Sequence, residues 1–293
     1  VFVTAAAADF PDVFVSGAAG NGTTDDEASL DAFIAAVSNQ TDRAGTLQTG
    51  TYLTTNVNAP TAQSTIRGVG PNRSILKRDT DGVNVWDFGD VDYVTISDLS
   101  IEMEYAAAGV GHGISALGEN LTFDRVEIND FGAPSGDGGS GILLYPAVAG
   151  THRSGLRITN CKMVGNVTGT GDTFGYIMDA TKHSFMYGNH VEAARNYSHE
   201  LKDDAKYNAM FGLTAKSGGY IVGFGQQTAG DDGADYNVVA AVTGEAMDGG
   251  VFIDKGNYNV VTGVVFDGTS PPGYYGNQHG LKAPQRATSS LVC

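Results

Sequence analysis

Seven stretches of this chain align without gaps, and the repeat they form constrains the fold more than any other feature. They are DYVTISDLSI (92–101), ENLTFDRVEI (119–128), SGLRITNCKM (154–163), KHSFMYGNHV (182–191), KYNAMFGLTA (206–215), DYNVVAAVTG (235–244) and NYNVVTGVVF (257–266). Three columns are mainly apolar. The first holds Ile96, Phe123, Ile158, Met186, Met210, Val239 and Val261. The second holds Leu99, Val126, Cys161, Asn189, Leu213, Val242 and Val264, and the third Ile101, Ile128, Met163, Val191, Ala215, Gly244 and Phe266. Successive units lie 27, 35, 28, 24, 29 and 22 residues apart along the first column. That is solenoid spacing with loops of variable length. A second phrase precedes many units: GHGISAL (111–117), GSGILLY (139–145), FGYIMDA (174–180) and GGVFIDK (249–255). Short strands joined by Gly, Asn and Asp turns at this period describe the coils of a parallel β-helix. One coil cannot bury its own apolar face, so the coils must stack, and each column becomes an interior ladder.

A stack of coils has two ends with unpaired edges, which invite aggregation unless covered. The stretch VFVSGAAGNGTTDDEASLDAFIAAV (13–37) supplies a cover for one of them. Thr24 is placed as an N-cap, with Glu27 as its capping-box partner. Leu30, Phe33, Ile34 and Val37 fall on one helical face. The preceding Gly17–Gly22 turn is not a phosphate loop: Asp25, Asp26 and Glu27 stand where an anion would sit, and no lysine follows. The chain therefore divides into an N-terminal segment with a capping helix (1–45), a β-helix (46–268) and a C-terminal tail (269–293). In the tail, Pro271-Pro272 stops strand pairing. Tyr274 and Tyr275 are expected against the last coil or in a contact between subunits.

At this point the chain resembles a known group. GNGTTDD (20–26), the helix, TLQTGTYLTTNV (46–57) and STIRGVGPNRSILKR (64–78) look like the N-terminal part of pectate-lyase-like right-handed β-helix proteins. The specific part of the likeness covers residues 10–80. The group includes secreted polysaccharide lyases and hydrolases as well as tailspikes and other appendages of tailed viruses. The resemblance implies an all-β, right-handed parallel β-helix with a short capping α-helix. It also implies symmetric association of copies, commonly as trimers.

Composition narrows the partners. Of 293 residues, 33 are acidic and 17 basic, a formal charge of −16. Nucleic acid and anionic membrane both need basic patches, so neither is expected. No run of about 18 apolar residues marks a membrane span, and VFVTAAAADF lacks the basic start of a secretory signal. Two cysteines, Cys161 and Cys293, make no disulfide framework, and Cys161 sits in a strand pattern as a buried thiol. No metal site and no cofactor are expected. DGADYN (232–237) and GDGGSG (136–141) have the composition of calcium loops without their full ligand spacing, and read as turns.

Glycosidic hydrolysis needs two carboxylates about 5–10 Å apart. The candidates are Glu200, Asp203, Asp204, Asp231 and Asp232. The similar galacturonan hydrolases carry an Asn-Thr-Asp, an Asp-Asp, a Gly-His-Gly and an Arg-x-Lys in that order. Here Gly111-His112-Gly113 precedes both Asp-Asp pairs, and Asn-Thr-Asp and Arg-x-Lys are absent. A lyase would instead use a basic side chain such as Arg153, Arg157 or Lys182 near acids such as Asp179. Tyr93, Tyr207, Tyr236 and Tyr258 share a column, the last three followed by Asn208, Asn237 and Asn259. This predicts a tyrosine stack beside an asparagine ladder, either as inter-coil structure or as a strip on which sugars stack. Six Asn-x-Ser/Thr triplets, at Asn21, Asn39, Asn72, Asn120, Asn166 and Asn196, are compatible with secretion. Two functions stay open. One is a tailspike-like viral surface protein that engages a host polysaccharide or glycoprotein and forms a cyclic homo-oligomer. The other is a secreted polysaccharide lyase or glycoside hydrolase.

Overall fold

The first column stacks residue on residue. Ile96 pairs with Phe123, Phe123 with Ile158, Ile158 with Met186, Met186 with Met210, Met210 with Val239 and Val239 with Val261, all in parallel. The computed structural model describes residues 13–78, 84–103, 111–132, 139–145, 151–166, 173–225, 233–253, 256 and 258–268. Within them the chain winds as a right-handed parallel β-helix whose coils have three faces.

The first face carries the column just named, in strands such as Arg157–Thr159 and Phe185–Tyr187. The second face carries Ile101, Ile128, Met163, Val191, Ala215 and Gly244 in register. The third face stacks Trp86, Ile114, Ile142, Tyr176, His199, Val222 and Val251. Long strands, among them Thr95–Glu102, Thr122–Phe131 and Val238–Ile253, bend from one face to the next without leaving the ladder. The bend between the first two faces falls on a left-handed residue in successive coils: Asp98, Arg125, Asn160, Gly188, Gly212, Ala241 and Gly263. The interior columns are buried and form one continuous core. Asn189, the polar member of the second column, is fully buried. It is satisfied there: its Nδ2 donates to the Ile158 carbonyl (3.0 Å) and its Oδ1 accepts from Cys161 N–H (3.0 Å). Burial pushes the Cys161 thiol up to about 12, which leaves it unreactive.

The ladder reaches back beyond Thr46, because Val13–Phe14 pairs with Gly45-Thr46 and Asn21–Asp25 with the strand Gly50–Thr54. The helix spans Glu27–Ser38 and buries Leu30, Phe33, Ile34 and Val37 over the end of the coil stack, as expected. A Cβ at Gly45 would collide with Phe33 and Val37, so the close approach of helix to coil depends on that glycine.

The expected capping box does not form. Thr24 belongs to the strand Asn21–Asp25, and Asp26 is the N-cap without a side-chain capping bond. Its carboxylate turns back to accept from Ala19 N–H (2.6 Å) and Gly20 N–H (3.1 Å). The glycine-rich turn thus does hold an anion, one supplied by its own chain. Glu27, freed from capping, accepts from Thr55 N–H (3.1 Å) and ties the helix to the next coil. Among the described residues no helix is long and apolar enough to cross a membrane.

Candidate functional site

The third face ends at an acidic corner, and three of the sequence candidates meet there. Asp179, Lys202 and Gly225 occupy one register position at the strand ends of successive coils. Lys202 Nζ lies 3.6 Å from Asp179 Oδ2. Beyond Lys202 the chain leaves the ladder through two consecutive left-handed residues, Asp203 (φ 47°) and Asp204 (φ 66°). Aspartate tolerates this conformation better than most side chains. The Ala205 N–H to Lys202 carbonyl bond (3.2 Å) closes the turn.

Asp204 braces this turn. It contacts His152 Nε2 (3.0 Å) and pairs with Lys206. Glu200 is different. It points out from the strand Tyr197–Lys202 yet is only 7% exposed. Its register neighbours are Ile177 and Gly223, neither of which brings a charge. Burial raises its carboxyl to about 7; Lys202 opposes the shift, while Asp179 and Asp203 add to it. Near neutral pH Glu200 therefore sits close to its titration midpoint, within electrostatic reach of Asp179 and Asp203.

A band of half-buried rings leads into this corner. Phe174, Tyr197 and Tyr220 follow one another in register up the face, and Phe252 joins them. Centroids are 5.2–6.1 Å apart. Phe174–Tyr197, Tyr197–Tyr220 and Tyr220–Phe252 are tilted by 37–44°. Gly223 makes room for the band, since a Cβ there would lie 2.6 Å from the Tyr197 ring.

Polysaccharide-related names recur among similar solved structures. Polygalacturonase from Erwinia carotovora ssp. carotovora shares 10% identity at a TM-score of 0.66, covering 87% of this chain and 79% of that one. The N-terminal fragment of bacteriophage Phi29 gene product 12 shares 11% at 0.61, covering 86% and 56%. The A-module of the Azotobacter vinelandii mannuronan C-5 epimerase AlgE6 shares 15% at 0.57, covering 87% and 80%. The chain folds as a right-handed parallel β-helix, the fold of these structures. It spans 56% of the Phi29 fragment and 43% of the enzymatically active domain of bacteriophage CBA120 tailspike protein 2, another similar structure. No family model and no curated sequence matches it.

The remaining candidates are spread over the β-helix. Arg153 pairs with Asp90 (2.9 Å), Lys182 sits beside Lys206 in the next coil, and Arg157 lies on the first face. Asp231 and Asp232 fall outside the described residues, as do Tyr274, Tyr275, Cys293 and part of both glycine-aspartate turns. Among the described residues no group of three or more His, Cys, Asp or Glu is placed to hold a metal ion.

The tyrosine column forms a stack, with one departure from expectation. Tyr207 and Tyr236 are 5.3 Å apart at 16°, and Tyr236 and Tyr258 are 4.8 Å apart at 11°. His183 extends the stack below Tyr207 (5.4 Å, 8°). Tyr93 stands apart because Asn120 and Gly155 fill its column in the next two coils. Stacked face to face, Tyr207 and Tyr236 present edges to solvent and keep their ring faces for each other. The asparagine ladder lies beside them: Asn208 N–H and Nδ2 donate to Asn237 Oδ1 (2.9 and 3.1 Å), and Asn237 repeats both bonds to Asn259 Oδ1 (2.8 and 3.0 Å).

Sequence reasoning named Glu200 and Asp203 but missed the aromatic band. Its signal was available as the aromatic opening of FGYIMD, YSHELK and YIVGFG, three strands that the register superposes.

Proposed function

We propose that this chain engages an extended polysaccharide along the outside of its third face, as a tailspike-like appendage on the surface of a virus. The aromatic band ending at the acidic corner carries the reading. Three of the four ring pairs are tilted, Tyr197 and Phe252 alone being stacked, and the half-buried rings leave ring surface open for the C–H face of a sugar. The carboxylates and Lys202 at the corner supply hydrogen-bond partners for hydroxyls. The fold is also that of proteins named for polysaccharide chemistry and of phage tail proteins. In this reading the protein works as a cyclic homo-oligomer, with three copies the natural count for an appendage, and its partner is a host-surface polysaccharide or glycoprotein. A secreted, extracellular enzyme of the same fold is the second reading, and the elevated proton affinity of Glu200 favours it specifically.

One experiment separates the two. The protein is incubated with neutral and acidic polysaccharides while binding, new reducing ends and unsaturated products are all followed. Binding without cleavage, weakened at least tenfold by Tyr197→Ala or Tyr220→Ala, supports the appendage. Cleavage that disappears in Glu200→Gln supports the enzyme. No binding to any polysaccharide removes both.

A further inference from the structure

The first face carries a groove of about 630 Å³ on its outer side, away from the aromatic band and the acidic corner. Its walls come from four successive coils, through Thr95, Thr122, Asp124, Arg157, Thr159 and Tyr187 among others. Three strand spacings make it ~14 Å long.

The charges in the groove do not cancel in the same way. Asp98 takes a bidentate pair from Arg125, Nε to Oδ1 at 2.6 Å and Nη2 to Oδ2 at 2.9 Å. Asp124 pairs with the same arginine and also accepts from Thr159 Oγ1 (2.6 Å) and Asn160 Nδ2 (3.2 Å). Both carboxylates are thus saturated, Asp98 by the next coil and Asp124 by Arg125 beside it and by the next coil. Arg157 is not matched. Its side chain is exposed, it makes no ion pair among the described residues, and its guanidinium lies 6.0 Å over the Phe185 ring. Phe185 runs parallel to Tyr187 (6.2 Å, 6°), and Tyr187 is 51% exposed. In a chain of formal charge −16, an unmatched guanidinium over an aromatic ring, within a groove, is the feature that calls for an occupant.

We infer that this groove binds an acidic sugar, with a carboxylate or sulfate on Arg157, a pyranose ring on Tyr187, and hydroxyls on the threonine rim. The chemistry discriminates among ligand classes. A guanidinium matches a planar carboxylate or a sulfate through paired N–H donors. The half-exposed tyrosine takes an apolar ring face, and Thr95 and Thr122 offer short neutral hydroxyls at strand spacing. A peptide strand has no purchase here, because the backbone of the face is already consumed in the parallel ladder and only a sheet edge can accept a strand. A nucleic acid would need several unmatched cations, where the groove offers Arg157.

The site is independent of the third face, so its test separates the two. Calorimetric titrations use a hyaluronan oligosaccharide for carboxylate, a heparin oligosaccharide for sulfate and a dextran oligosaccharide as the neutral ring. One or both acidic probes are expected to bind and dextran to fail. Arg157→Gln and Tyr187→Ala should each weaken binding tenfold or more, and Arg157→Lys, which keeps the charge, should lose less. The part of the binding that depends on Arg157 should persist in Glu200→Gln and Tyr197→Ala, which alter the third face alone. Melting temperatures of the variants, altered at exposed or half-buried side chains except for the buried Glu200, check that the fold survives. Binding that follows Tyr197 and ignores Arg157 overturns the groove and leaves the third-face site standing. Dextran binding that is as tight as the acidic probes and is lost in Tyr187→Ala, or no binding of any probe, overturns the groove as well.

Discussion

Phe123 shows how far one residue's fate follows from the stacking rule. It is fully buried between Ile96 and Ile158, and its ring lies 6.0 Å from that of Phe88. Replacing it with alanine should cost about 3–5 kcal/mol, read from denaturant melts of the two proteins. Asp26 makes the opposite case, a buried carboxylate whose purpose is to gather two backbone donors. Asp26→Ala leaves Ala19 and Gly20 N–H without their acceptor, so limited proteolysis should cut the 17–22 turn faster than in the parent protein. The interior positions were legible in the sequence because parallel pairing places equivalent residues on top of one another, and apolar side chains mark the place. Glu200 was legible as a carboxylate but not as a buried one. Its surroundings are Ile177 and Gly223, which reach it through coil lengths that vary from unit to unit. Arg157 was visible as a charge, but its distinction is the pairing of the aspartates around it with other donors, which no local pattern encodes.

At the scale of elements, the asparagine ladder and the capping helix make separate contributions. Asn237 is fully buried, accepts two bonds from Asn208 and donates to Asn259 Oδ1 and the Ala205 carbonyl. Asn237→Ala should destabilise by about 2–4 kcal/mol, since it strands buried donors and an acceptor together. Hydrogen exchange should show the added opening concentrated in the coils around 205–239. The helix covers one end through Phe33 and Val37 on Gly45. Phe33→Asp should place a charge in that contact and produce soluble aggregates in light scattering; a monodisperse variant with unchanged melting would show that the coil end needs no cover. The helix itself was readable from its apolar period, but its start was not. Thr24 and Glu27 have capping-box spacing, yet the strand Asn21–Asp25 pairs with the next coil and claims Thr24 first. On the third face, GHGISAL, GSGILLY and FGYIMDA shared a glycine and were found, whereas YSHELK has none and was passed over although it stacks in the same register.

For the whole molecule, three buried titrating groups set an expected pH profile. Glu200 is raised by burial from 4.5 to about 7, so its contribution to stability is full below 4.5 and lost as the pH rises through 7. His112 and His199 are lowered by burial from 6.5 to about 4, so theirs is full above 6.5 and lost as the pH falls through 4. Between 4.5 and 6.5 two histidines outweigh one glutamate. Stability should therefore climb by about 3 kcal/mol across that interval and ease slightly above it. Melting temperatures from pH 4 to 8 would show the maximum near 6.5, and Glu200→Gln should both steepen the climb between 4.5 and 6.5 and abolish the decline above it. The coil stack also has a direction, and the helix over Gly45 makes it one-way. Chain growth by end-to-end addition requires every unit to offer two complementary faces, one to accept and one to be accepted. With the first coil occluded, a second copy has no matching end to dock onto, so axial addition terminates instead of propagating. Head-to-tail growth along the axis is closed at that end, and the flanks, where both proposed sugar sites lie, are the surface the described coils leave open.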